Sequence, residues 1–123
     1  EAAAACHAHG IMVMMGAPNL IRGGSHSGNV SAADLARAGH LDILSSDYVP
    51  FGLMQAAFQL ADEGLADLPQ AIRLVSTNPA EATRLADRGE IATGRRGDLV
   101  RVAAVPAKPP IVRCVWRAGN RVA

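Results

Sequence analysis

The residue best placed to do chemistry is an acid. Asp47 closes the segment LDILSSD, an apolar run from Leu41 that ends in polar residues. A carboxylate directly after a buried strand is costly unless it is paired or bound to a metal. At a strand's carboxyl end it can ligate a metal or take a proton from a water. As a turn acid or helix N-cap ahead of Pro50 it would do neither, and the residues alone leave both readings open. A second candidate is the stretch RGGSHSGN, which sets Arg22, Ser25, His26, Ser27 and Asn29 among Gly23, Gly24 and Gly28. Glycines let backbone N–H groups approach an anion, and Arg grips phosphate bidentately. The natural ligand is therefore a phosphate or phosphonate-like group. No Gly-Lys-Ser/Thr follows, so this is not a Walker A loop.

Other reactive side chains read as structural. His7 and His9 follow an alanine run, EAAAACHAHG, which favours a helix. Residues two apart on a helix diverge by about 200° and cannot share one ion, so a solvent-facing helix end is expected there. His40 precedes a strand, at the end of an α/β layer that carries stability rather than catalysis. Cys6 and Cys114 lie at opposite ends of the chain and lack the pairing of a zinc site. Such sparse cysteine use fits a reducing cytosol. Met12, Met14, Met15 and Trp116 read as core packing.

The elements that must hold these groups follow from local signals. A helix over Glu1 to Ala8 stops at Gly10, and IMVMM, Ile11 to Met15, reads as a strand buried on both faces. GAPNLIRGGSHSGNV, punctuated by Gly16, Gly23, Gly24 and Gly28, reads as a loop of about a dozen residues. Ser31-x-x-Asp34 opens a helix closed by Gly39, and Leu41 to Asp47 is a second buried strand. Pro50 begins a long helix ended by Gly64, LPQAIRLVST is a further helix, and Asn78-Pro79 restarts one with Asn78 as its cap. From Asp87 the chain turns to glycine-punctuated turns and strands. Asp98 to Val105 is a strand, PAKPP a stiff connector, and IVRCVWRAGNRVA a hairpin around Ala118-Gly119-Asn120.

The class is α/β. Two strands cannot bury both faces of a parallel sheet, so the pattern reads as one end of a larger α/β domain followed by part of a small β module. The 123 residues are 50% hydrophobic and 3% aromatic with net charge +1, which excludes a disordered tail and a dedicated nucleic-acid binder. No run approaches the roughly 20 apolar residues that span a bilayer, and no signal-peptide pattern opens the chain.

Two stretches carry a family resemblance. NPAEATRLADRGEIATGRRGDLVRV resembles the closing segment of the amidohydrolase superfamily, through Asn78, Pro79, Gly89, Glu90, Ile91, Gly94, Gly97, Asp98, Leu99 and Val100. MGAPNLIRGGSHSGNVSAADLARAGHLDILSSDYVP is similar to the phosphonate-utilisation diphosphatases of the carbon–phosphorus lyase pathway. The resemblance implies the C-terminal part of a (β/α)8 TIM-type barrel, over residues 1–86, and part of a small β-sandwich over 87–123. It implies a hydrolase dependent on a divalent metal of the zinc type. Its substrate would be ribose 1-methylphosphonate 5-triphosphate, cut to the 5-phosphate and diphosphate. Asp47 then matches the acid that ends the eighth barrel strand, a metal ligand and proton acceptor. His26 takes a substrate or phosphate role, with Arg22, Ser25, Ser27 and Asn29 as neighbours.

The superfamily's His-x-His, bridging lysine and two further histidines have no counterparts here. The chain alone is therefore expected to be inactive, to bind catalytic metal poorly, and to self-associate or pack against the remainder of a parent chain. Its expected partner is a phosphorylated small molecule, with no nucleic acid and no membrane, in the cytoplasm. The closing motif fits a cyclic amidase or a nucleobase deaminase equally, but Arg and glycine N–H groups suit phosphate better than a neutral base. A non-enzymatic α/β module that holds an anion in the glycine-rich loop is the remaining reading.

Overall fold

Alanine lowers the cost of helix formation, and α1 covers the alanine-rich Ala2–Ala8 before Gly10 turns the chain at φ 68°. The computed structural model describes residues 1–24, 28–105 and 108–123. Among them follow β1 (Met14–Gly16), α2 (Ala17–Ile21), α3 (Ala32–Arg37), β2 (Ile43–Ser45), α4 (Gly52–Asp62), α5 (Leu68–Arg73) and α6 (Thr77–Ala82). Then come β3 (Leu99–Ala103), β4 (Ile111–Arg117) and β5 (Asn120–Arg121). The chain is a mixed α/β structure. No described helix is long and apolar enough to cross a membrane.

β1 and β2 pair in parallel, Met14 opposite Ile43 and Gly16 opposite Ser45. Helices pack against this pair through Ala17, Leu20, Ala32, Leu35, Leu41, Leu44, Ala56, Ala57, Leu60, Ala71 and Leu74. The many alanines among them let helix backbones approach closely, while Leu20 and Leu60 fill the centre. On its other edge, the Leu44 N–H donates to the Leu74 carbonyl at the end of α5, at 3.0 Å.

Caps set the helix starts. Ser31 Oγ accepts from the Asp34 N–H at 3.0 Å and donates to its carboxylate at 2.7 Å. That side-chain hydrogen bond, helped by Arg37, holds the Asp34 carboxyl below the ordinary carboxylate range. Asp67 and Gln70 form a reciprocal capping box at the start of α5.

Four local expectations change. The glycine-rich connection is not all loop: α2 forms at its start, because Pro18 sits in the first turn and Asn19 Oδ1 accepts the Ala32 N–H at 2.8 Å, tying α2 to α3. The apolar run before it is not buried on both faces, since Ile11 is 57% and Met14 60% exposed. The long helix begins at Gly52 rather than Pro50. Asn78 is not a cap. It lies inside α6 and its amide donates to the Asp42 carbonyl at 2.8 Å.

The second sheet is antiparallel, in the order β3-β4-β5. Its hairpin turns on Ala118 (φ 49°) and Gly119 (φ 80°), both left-handed as a two-residue primed turn requires, while Asn120 already belongs to β5 and pairs with Arg117. The Asp98 carboxylate accepts the Ala118 N–H at 2.8 Å, and the Gly97 carbonyl accepts the Gly119 N–H at 2.8 Å. Gly89 meets α6: a β-carbon there would stand 2.7 Å from that of Ala80, and Thr77 Oγ1 donates to the Gly89 carbonyl at 2.7 Å. Gly89 thus seats this segment against α6, while Gly97 and Asp98 brace the hairpin turn. Beside it Arg88 hydrogen-bonds Asp87, which lowers the carboxyl's pKa and raises the guanidinium's. Of the PAKPP connector, Pro106 and Ala107 lie outside the described residues.

Candidate functional site

Parallel pairing puts the carboxyl ends of β1 and β2 side by side, which is where α/β proteins gather reactive groups. After β2 the chain runs through Ser46 to Asp47 and Tyr48. Asp47 adopts φ 52°, a left-handed conformation that Asp and Asn tolerate better than most residues. That backbone turn carries its carboxylate back over β1. A β-carbon on Gly16 would stand 2.8 Å from Asp47 Oδ2 and 3.2 Å from Asp47 Cβ. Gly16 itself has φ −74° and ψ 133°. Glycine is therefore needed there for space rather than for backbone freedom. The acid is exposed to solvent at the sheet's end, where a small molecule can reach it.

Arg22 is the C-cap of α2, and its guanidinium carbon lies over the Tyr48 ring, 5.3 Å from the centroid. The first connection and the second thus meet through a cation–π contact beside the acid. Of the residues singled out from sequence, the structure brings Arg22 and Asp47 to one end of the sheet. Asn29 is exposed further along the same connection. Ser25, His26 and Ser27 lie outside the described residues.

At the opposite ends of the strands sits a polar cluster that local spacing hides. Asp42 Oδ2 lies 2.8 Å from His7 Nε2 and accepts the Val13 N–H at 2.7 Å. The His40 ring lies 5.0 Å from that of His7. His7 is therefore not a simple solvent-facing helix end: it latches α1 to the start of β2, while His9 stays exposed. The one sequence signal for this was an acid between two apolar residues, Leu41 and Ile43. Sequence alone assigns no functional role to Gly16 or Tyr48. A glycine ending an apolar run was the available signal for the first, and the aromatic after the acid for the second.

Among the described residues no group of three or more His, Cys, Asp or Glu is placed to hold a metal. Asp47 offers one carboxylate, where a catalytic divalent metal needs about three protein donors. The donor set among the described residues does not by itself fit a metal centre. A cavity of about 780 Å³ lies elsewhere, between α4–α6 and β3, with an apolar lining that includes Met54, Phe58, Leu85, Ile91 and Val100. Arg22, Asp47 and Tyr48 do not line it.

Comparison with known proteins identifies the family. The model of the amidohydrolase family matches residues 4–123. Alpha-D-ribose 1-methylphosphonate 5-triphosphate diphosphatase from Escherichia coli (strain K12) is 54% identical over 124 residues, which is 99% of this chain and 32% of that protein. The chain thus spans about a third of that relative's length. No solved structure matches it.

Proposed function

Because this chain belongs to the amidohydrolase family, we propose that it forms part of a hydrolase of phosphonate metabolism, one that cleaves ribose 1-methylphosphonate 5-triphosphate to the 5-phosphate and diphosphate. The observation that carries this reading is the seat of Asp47. Its carboxylate lies against Gly16 at the carboxyl ends of two parallel strands, with the Arg22 guanidinium over the ring of the adjacent Tyr48. The alignment with the diphosphatase, 54% identical overall, covers 99% of the chain.

In this reading Asp47 accepts a proton from the attacking water as its oxygen bonds to phosphorus. The phosphoanhydride bond breaks and diphosphate leaves with the electron pair. Arg22 offsets the charge of the polyphosphate, where a cyclic amide or neutral nucleobase would gain nothing from it. A divalent metal, zinc in this proposal, would supply charge stabilisation when bound. In this proposal its other donors come from the rest of the parent enzyme, and the 123-residue chain alone is expected to show no turnover.

Asp47→Asn in the complete parent enzyme tests the assignment, because Asn keeps the left-handed backbone and loses only the base. General-base loss lowers kcat about 100-fold or more. Unchanged turnover would remove Asp47 from the mechanism. Diphosphate release from the triphosphate, measured beside hydrolysis of a cyclic amide and deamination of a nucleobase, tests the substrate class.

A further inference from the structure

We infer that Tyr48 is a positioning residue for polyphosphate, holding the Arg22 guanidinium at the mouth of the site beside Asp47; the inference rests on the diphosphatase reading above. A polyphosphate brought to Asp47 meets a carboxylate and is repelled, so a cation must be held at that same strand end. The structure places Arg22 there, with its Cζ 5.3 Å from the Tyr48 ring centroid. Tyr48 is the residue next to Asp47 and is 59% exposed, so core packing does not account for its size. A guanidinium held over a ring keeps its charge, and guanidinium N–H groups grip phosphate oxygens in pairs. Arg otherwise loses considerable rotamer freedom when it binds, and a ring that holds it beforehand lowers that cost. Because Tyr48 is fixed to the turn that aims Asp47, the same backbone sets the distance between cation and base.

The test is a double-mutant cycle in the complete parent enzyme, with the triphosphate as substrate. Tyr48→Leu removes the ring face and raises KM about two- to five-fold, the effect of an exposed cation–π contact, while kcat stays within about two-fold. Tyr48→Phe keeps the face and restores the KM. Arg22→Gln raises KM, and adding Tyr48→Leu to it raises KM no further. If Tyr48→Leu leaves KM unchanged, or if the two effects simply add, Tyr48 does not act through Arg22 and the inference fails while the diphosphatase reading stands. If the wild-type parent does not release diphosphate from the triphosphate, both fall together.

Discussion

Gly16 and Asp47 share one space: a β-carbon on the first would come within 2.8 Å of the carboxylate of the second. The glycine ends one strand and the acid follows its neighbour, so the parallel register that sets Gly16 opposite Ser45 also sets where the carboxylate rests.

Gly16→Ala follows directly. The backbone at Gly16 is extended and accepts alanine, and at such positions the exchange itself is neutral or stabilising by about 0.4–1 kcal/mol. The new methyl instead displaces the Asp47 side chain. In the complete parent enzyme we expect a melting temperature within a few degrees of wild type and kcat lowered about 10- to 100-fold, as a misplacement near 1 Å costs. Wild-type kcat in a folded Gly16→Ala enzyme would break the link between this glycine and the acid.

Asp42 offers a stability test at the other end of the strands. Its carboxylate serves both His7 and the Val13 N–H, and removing it strands a part-buried amide. Asp42→Ala should lower unfolding free energy by about 1–3 kcal/mol in denaturant titrations. His7→Ala should cost less, because the Val13 bond survives. Equal midpoints for Asp42→Ala and wild type would show that the latch carries no stability.

Surface composition makes a third forecast. Phe51 is 77% and Ile91 88% exposed, and Ile11 and Met14 are more than half exposed. Large apolar groups in such number mark surfaces that bind other protein. The 123-residue chain produced alone should therefore run above its monomer mass in light scattering. A monodisperse monomer at tens of micromolar would contradict this.

What the sequence made legible was short in range. The Ser31–Asp34 cap, the glycine stops and the Ala118-Gly119 turn each depend on residues within a few positions of one another, and each formed. The reading of Asp47 as a strand-end acid also needed only the apolar run before it. Asn78 has the residue type of a cap but reaches Asp42 across 36 residues, and His7 reaches the same residue across 35. Such partners have no periodicity to betray them. Helix α2 escaped because its glycine-rich sequel outweighed a Pro18-led first turn. The exposed face of β1 escaped because uniform apolarity reports a strand's preference for cover, whatever chain supplies it.

Leu44, three residues before the acid, hangs by its amide from Leu74 at the far end of α5. The turn that carries Asp47 is thus anchored from behind by a helix that supplies none of Arg22, Asp47 or Tyr48. Substitutions around Leu74 can therefore shift where that carboxylate rests without touching any group at the strand ends.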